Sequence, residues 1–482
     1  MSIDPSAIVS RRQFLADCGL GLGKIGAMSL LASSAVGARV APLTQGVTDR
    51  RHGAPLGPHF APRAKAVIHL FMGGAPSQLE LFDPKPLLTR FQGKPLPASV
   101  IGDQRYAFIR PDAAVLGPQF AFARRGECGA ELGEPLRHLA EVVDELCIVR
   151  SMHTDQFNHA PAQLLLNSGF AQPGRPSLGS WAVYGLGTES ADLPAFVVMS
   201  TGAGLSAGSA LWSSGFLPPE HGGVRLRNGK DPILDLSTPE RFDGEIQRDT
   251  FELVTRLDAQ RAAALGDPAI AARIRSFEMA ARLQTSAPEL LDLAGEGTAV
   301  LDLYGCDPQK PSFARACLLA RRLVERGVRF IQIFHEGWDA HSDVRGNVLN
   351  NCRATDRACA ALIVDLKRRG LLEDTLVVWG GEFGRTPMVE TNPSLGRSLG
   401  RDHHPQAFTM WMAGGGARRG HTHGATDDFG FHIVQDPVHV HDLQATVLHL
   451  LGFDHERLTF RHAGRDFRLT DVHGRVVQSL LA

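Results

Sequence analysis

Charge of a single sign is the first thing this 482-residue sequence lacks: 50 Lys and Arg stand against 51 Asp and Glu, a formal net charge of −1. Without a cationic excess there is no electrostatic footprint for nucleic acid. Cysteine is sparse too. Six of the seven lie beyond the first forty residues, at 128, 147, 306, 317, 352 and 359, with no C-x-x-C pair, which excludes a disulfide framework. Cys352 and Cys359 fall two turns apart on a predicted helix, too far for a bridge, so free thiols are expected. Internal repeats and low-complexity tracts are missing as well. What is present is a globular composition, 43% apolar and 21% charged, in a chain long enough for one large domain or two.

The first forty residues read separately. Ser10-Arg11-Arg12-Gln13-Phe14-Leu15 precedes a weakly apolar stretch from Gly19 to Ala38, and Val36-Gly37-Ala38 offers small residues for cleavage. This is the pattern of a twin-arginine export signal over residues 1–38, with an ordinary amphipathic helix as the alternative. Lys24 and several glycines argue against a permanent membrane span. The expectation is a mature chain from about Arg39, handed folded to the twin-arginine export machinery and working in the periplasm or outside the cell.

Beyond the signal, apolar runs alternate with helical patterns. Ala66–Met72, Leu146–Val149, Val328–Phe334, Thr375–Trp379 and Ala407–Ala413 read as strands; Glu134–Glu145, Ala314–Arg326, Asn350–Arg369 and Asp442–Leu451 read as helices. Continuous apolar strands alternating with helices predict an α/β fold, a three-layer sandwich with a mostly parallel central sheet. Residues 205–300 depart from this pattern with a Gly/Ser-rich loop and two long polar helices, Pro239–Leu265 and Pro268–Thr285, and read as a helical insertion on the main domain 39–482.

In open α/β sheets ligands bind at the carboxyl ends of the strands. Five segments there carry His, Asp or Glu: Gly73–Asp83, His153–His159, His335–Asp343, Gly380–Pro387 and Gly400–Pro405. Imidazoles with carboxylates form the ligand set of a divalent metal ion such as zinc, manganese, iron or calcium. Such an ion polarises an ester oxygen and activates water, and Arg385 is expected to hold a tetrahedral oxyanion, so the predicted chemistry is hydrolysis. Duller readings stand beside these. Asp339-Ala340-His341 is also a plausible self-bonded turn and His403-His404 a polar loop; His421 and His423 fit a surface loop, and His439, His441 and Asp442 fit a strand end or helix cap.

"TLVVWGGEFGRTP", its preceding helix "NNCRATDRACAALIVDLKRRGLLED" and the closing "HVHDLQATVLHLLGFD" resemble the alkaline phosphatase and sulfatase superfamily. "FMGGAPSQLELFDPKP", "GRPSLGSW", "LARRLVERGVRF" and "GRDHHP" resemble, more closely, its exported branch known as the domain-of-unknown-function family 1501. The resemblance implies an alkaline phosphatase-like fold and a metal site in which Glu382 stands at the strand-end acidic position, Asp339 and His341 in the preceding metal loop, and His403 or His404 at the late histidine. It also implies three departures: Met72 and Gly73 where an acidic ligand is expected at the first strand, with Glu80 and Asp83 further on, Phe383 where a His or Asn ligand is expected, and His159 where a Cys or Ser nucleophile is expected. His159 then acts as nucleophile or ligand, or Ser77 or Thr154 supplies a hydroxyl, or water attacks directly, or the chemistry is lost. The reading is an exported hydrolase of phosphate or sulfate esters, acting on a small-molecule or carbohydrate ester. Its metal ligands are Asp339, His341, Glu382, His403 and His404, and Asp155, Asn158, His159 and Arg385, with His153, face the reaction. The alternative is a catalytically silent exported protein that binds a carbohydrate or a protein partner.

Overall fold

The computed structural model describes residues 56–102, 108–202, 205–227, 244–265 and 268–482. The predicted signal and the first residues of the predicted insertion helix, 239–243, lie outside them. No described helix is long and apolar enough to cross a membrane.

The main sheet is built from β1 (Ala66–Gly73), β2 (Leu146–His153), β3 (Phe196–Thr201), β4 (Val224–Leu226), β5 (Phe330–Glu336), β6 (Thr375–Gly380), β9 (Phe408–Ala413), β10 (His421–His423) and β11 (Val438–His439). Between β6 and β9 the chain forms a separate hairpin of β7 (Gly384–Asn392) and β8 (Arg397–His404). The sheet order is β10-β2-β9-β6-β1-β5-β3-β4, with β11 also on β2. Every pairing is parallel except those of β9 with β2 and β6. Apart from His69, β1 is apolar along its length because both faces are covered. Ile68, Leu70 and Met72 join a core with α5 (Phe313–Glu325) and α6 (Val344–Arg368). Val67 and Phe71 point the other way, into a core with α1 (His159–Ser168), α2 (Leu178–Leu186) and α7 (Val440–Leu450). Two cores on alternating residues of one strand make the three-layer α/β sandwich that the sequence predicts.

The insertion region contains α3 (Gly244–Leu265) and α4, which runs from Pro268 on to Leu291 rather than stopping at Thr285. Three further expectations are corrected. Glu134–Glu145 is not an α-helix: Pro135 lies in a turn and only Leu139–Glu145 winds, as a 3-10 helix whose first N–H groups at His138 and Leu139 are taken by the buried Asp356 carboxylate. Gly400–Pro405 is not a loop up to His404 but the second strand of the β7–β8 hairpin. His421 and His423 belong to β10, paired with β2, rather than to a loop. All six described cysteines are free thiols.

Since β2, β5 and β6 run parallel to β1, the carboxyl ends of these strands share one edge of the sheet. There the chain after β5 turns back against β1, with Trp338 N–H donating to the Gly73 carbonyl at 3.2 Å and the Trp338 indole buried on Trp379. Two glycines allow this approach. A Cβ on Gly74, whose φ is +103°, would lie 2.5 Å from Asp339 N, and one on Gly400 would collide with the His341 carbonyl. The turn ends where Asp343 caps α6 by accepting the Gly346 N–H at 3.0 Å.

Candidate metal centre

Four side chains from three separate segments meet at this edge. His159, the first residue of α1, Asp339 and His341 from the turn after β5, and His403 from β8 each present one ligand atom, all within 4.8 Å of one another. Asp339 Oδ1 lies 3.2 Å from His159 Nε2, 3.0 Å from His341 Nε2 and 3.4 Å from His403 Nε2, and the last two nitrogens are 3.0 Å apart. Donors held on zinc at 2.0–2.1 Å in a tetrahedron sit about 3.3 Å from each other, so the spacing fits a four-coordinate ion.

The other nitrogen of each ring is turned outward to an acceptor. His159 Nδ1 donates to Glu382 Oε1 at 2.7 Å, His341 Nδ1 to Glu390 Oε2 at 2.5 Å and His403 Nδ1 to the Phe157 carbonyl at 2.7 Å. A proton on Nδ1 leaves the Nε2 lone pair as the inward-facing group, the arrangement that orients metal-ligating histidines. His159 Nε2 is buried and lacks an aligned hydrogen bond even at 3.2 Å from Asp339, an unpaired polar atom of the kind a cation satisfies. Charge argues the same way. Asp339, Glu382, Glu390 and Asp402 bring four carboxylates, and among the described residues only Arg385 and Arg397 pair with them as guanidiniums, leaving an excess that a divalent cation cancels.

Without a cation, protons take that role. Burial lowers the His159 pKa, but the Asp339 and Glu382 carboxylates outweigh it and push it up to about 9; His341 is raised against burial by Asp339 and Glu390. Burial raises the Asp339 carboxyl, yet the three imidazoles and Arg385 hold it well below the usual range. His403 moves the other way, to about 4, because burial dominates and only Asp339 opposes it. The Asp339 side chain is 42% exposed, so the cluster opens to solvent on its side.

The match that places the protein covers nearly all of the chain described: the family model described as "Protein of unknown function (DUF1501)" fits residues 64–481. The chain belongs to the DUF1501 family. No curated protein matches this DUF1501 member. Among solved structures it is similar to the alkaline phosphatase of the Antarctic bacterium TAB5, at 9% identity over 80% of this chain and 97% of that one, with a TM-score of 0.35. It is similar to the PsFucS1 sulfatase of Pseudoalteromonas sp., at 12% identity over 87% and 72% with a TM-score of 0.37. The phosphonate monoester hydrolase of Silicibacter pomeroyi is similar at 12% identity over 86% and 76%, with a TM-score of 0.36.

Several residues that the sequence singles out in this DUF1501 member stand elsewhere than in the inner cluster. Glu382, expected as a ligand, lies fully buried behind His159, where its carboxylate takes the N–H of Gly74 at 3.1 Å, the Gln163 amide at 3.0 Å and His159 Nδ1 rather than joining the inner cluster. Arg385, expected to clamp an anion, is fully buried: Nε donates to Ala75 O, Nη1 to Arg401 O, and Nη2 to Gly74 O and Asp339 Oδ1 at 2.5 Å each. Its donors are committed to holding the loop. His404 points away, its Nε2 2.7 Å from the Phe431 carbonyl. Asn158 is the exposed N-cap of α1 and provides no side-chain cap bond. Asp155 is exposed and sits 3.2 Å from His439 Nε2, in a separate group where the His153 and His439 rings are 5.0 Å apart. Ser77 Oγ is bound to Glu80, and Thr154 Oγ1 accepts the Gln156 N–H, so neither proposed hydroxyl belongs to the cluster. His439 and Asp442 form the capping box of α7, as the duller reading had it.

The sequence reading did not find Glu390, Asp402, Phe108 or Gln163. Glu390 lies inside the β7 strand, outside every strand-end segment searched, whereas Asp402 falls within the searched segment Gly400–Pro405, where the two histidines take the ligand role. Asp402 accepts the His403 N–H at 2.7 Å and that of Phe108 at 3.0 Å, and the Phe108 ring stands edge-on to His341 and His403. Gln163 did leave a signal, since His159, Gln163 and Asn167 repeat every four residues as a polar stripe on an otherwise apolar helix.

Proposed function

We propose that this DUF1501 member is an exported metal-dependent hydrolase of phosphate or sulfate esters. The observation that carries the reading is the convergence of three imidazole Nε2 atoms on Asp339 Oδ1, each with its Nδ1 fixed by an acceptor outside. A divalent ion at such a site would supply Lewis acidity, and water taken on as a fifth ligand would have its pKa lowered towards neutrality. His159, His341, His403 and Asp339 would hold the ion. Glu382, Glu390 and the Phe157 carbonyl keep the three rings in the ligating tautomer. The aminoterminal end of α1 begins at His159, so its positive dipole end favours an ester anion beside the cluster. Phe383 fills the place expected of a further ligand: it is buried with Ala75 and Ala162, its ring centroid 5.0 Å from that of His159 and 4.6 Å from that of His403.

The silent alternative draws on one observation: the two hydroxyls that the sequence offers are engaged elsewhere, Ser77 with Glu80 and Thr154 with the Gln156 N–H. Metal content and turnover separate the two. The proposal expects about one divalent ion per purified mature chain and hydrolysis of an aryl phosphate or aryl sulfate that Asp339→Asn abolishes. Metal-free protein that neither binds zinc, manganese, iron or calcium nor turns over either ester supports the silent reading.

A further inference from the structure

The carboxylate behind His159 is held by an amide that also reaches outside the site. Gln163, one helical turn after His159 on α1 and buried, donates from Nε2 to Glu382 Oε1 at 3.0 Å, the same oxygen that receives His159 Nδ1–H at 2.7 Å. Its Oε1 accepts the backbone N–H of Ala207 at 3.2 Å. Ala207 precedes the short 3-10 turn Gly208–Trp212, which packs on α1 at the start of the segment leading to the two insertion helices. The orientation of the amide is fixed from both ends: a backbone N–H demands the oxygen, a carboxylate demands the NH2, and turning the group over would set two donors and two acceptors against each other.

We propose that Gln163 is a positioning residue that couples the cluster at His159 to the segment around Ala207. The link is a continuous series of hydrogen bonds, Ala207 N–H to Gln163 Oε1, Gln163 Nε2–H to Glu382 Oε1, and His159 Nδ1–H to that same oxygen. Gly74 N–H is the other donor that Glu382 receives, at 3.1 and 3.3 Å to its two oxygens. Removing the amide therefore leaves the carboxylate short of a partner and free to rotate away from His159. Releasing Ala207 frees the amide to turn. By linkage the coupling is reciprocal: an ion that draws His159 inward stiffens the Ala207 contact, and an ordered Ala207 segment strengthens ion binding. The part of this inference that concerns ion binding rests on the proposed metal centre, whereas the connection from Glu382 to Ala207 does not.

Amide hydrogen exchange at Ala207, read by NMR or by exchange mass spectrometry of the surrounding peptide, tests both parts on the full mature chain. In metal-free protein, Glu382→Gln is expected to speed exchange at Ala207 several-fold without touching that residue, and Gln163→Leu to speed it further. With zinc, the wild-type Ala207 amide is expected to slow, Gln163→Leu to lose that response, and zinc affinity to fall about tenfold. Gln163→Glu, which keeps an acceptor for Ala207 but opposes a carboxylate to Glu382, is expected to lose zinc affinity with the Ala207 amide still protected. Unchanged Ala207 exchange in metal-free Glu382→Gln overturns the coupling whatever the protein's metal chemistry. Wild-type zinc affinity in both Gln163 variants, or zinc protection of Ala207 that survives Gln163→Leu, overturns it as well. Failure of wild-type protein to bind any ion counts against the metal centre, while the metal-free arm still decides the coupling.

Discussion

His341 Nε2 lies 3.0 Å from His403 Nε2, with the opposite nitrogen of each ring bound to Glu390 Oε2 and to the Phe157 carbonyl. Two inward lone pairs at that separation repel unless a proton or a cation stands between them. The outer partners therefore matter as much as the inner ones. Glu390→Gln removes the charge behind His341 without changing its size, and zinc affinity measured by chelator competition is expected to fall about 10- to 100-fold. Asp339→Asn is expected to cost more, because it strikes the one oxygen that all three rings face. Equal affinity in Glu390→Gln and wild type would remove the outer carboxylate from the account.

Metal loading should release protons. Below about pH 9 His159 carries a proton on each ring nitrogen, and His341 is raised in the same direction, so an incoming ion must expel the Nε2 protons first. Affinity is expected to rise with pH towards 9 and to fall on acidification, by about tenfold per pH unit for each proton displaced. Calorimetry in buffers of different ionisation enthalpy counts them. Zero release at pH 7 would contradict the protonation described.

The metal-free fold should weaken in acid for a separate reason. His69, His335 and His404 are pushed down to about 4 by burial, opposed in His335 by Asn351 and in His404 by the Phe431 carbonyl. The unfolded chain gains these protons below about pH 6.5 whereas the folded chain resists until about 4. The contribution of these three neutral histidines is therefore full above 6.5 and falls between 6.5 and 4, by about 1.4 kcal/mol per pH unit for each. Urea midpoints across that window check this, and His69→Met is expected to flatten the fall.

Arg401 and Glu80 form a fully buried ion pair at 2.8 Å, and Arg401 donates as well to the Thr386, Leu116 and Gly117 carbonyls. This pair joins the β7–β8 hairpin to the chain after β1. Arg401→Met leaves an uncompensated buried carboxylate and is expected to cost about 3–5 kcal/mol, read as a lower denaturant midpoint. Adding Glu80→Gln should recover part of that loss, since the stranded charge is then gone.

Much of this arrangement was legible in the sequence. Apart from His69, Gln332 and the strand-end His335 and Glu336, the strands through Ile68, Ile331 and Val377 are apolar on both faces, and the helix Phe313–Glu325 is displaced by only one residue from the segment expected. The sequence reading names Asp339, His341 and His403, and the fold brings their ligand atoms within 4.8 Å of one another because the segments that follow parallel strands share one edge. The hairpin was not legible, because Gly384–His404 is rich in Gly, Pro and Arg and shows no two-residue alternation, its two strands being held by the buried Arg385 and Arg401 rather than by an apolar face. For the same reason Glu390 stayed hidden and Glu382, beside three glycines, drew attention as a ligand when its place is one step further out. Arg385 misled for a different reason: a guanidinium near an active edge suggests an anion, and only the carbonyls of Gly74, Ala75 and Arg401 reveal that its donors are already used.

Anomalous diffraction from a crystal of the mature chain loaded with zinc tests the central claim most directly. One peak within coordination distance of His159 Nε2, Asp339 Oδ1, His341 Nε2 and His403 Nε2, lost in Asp339→Asn, is the predicted result. No peak there at saturating zinc, or zinc bound only at the His153 and His439 group, would contradict it.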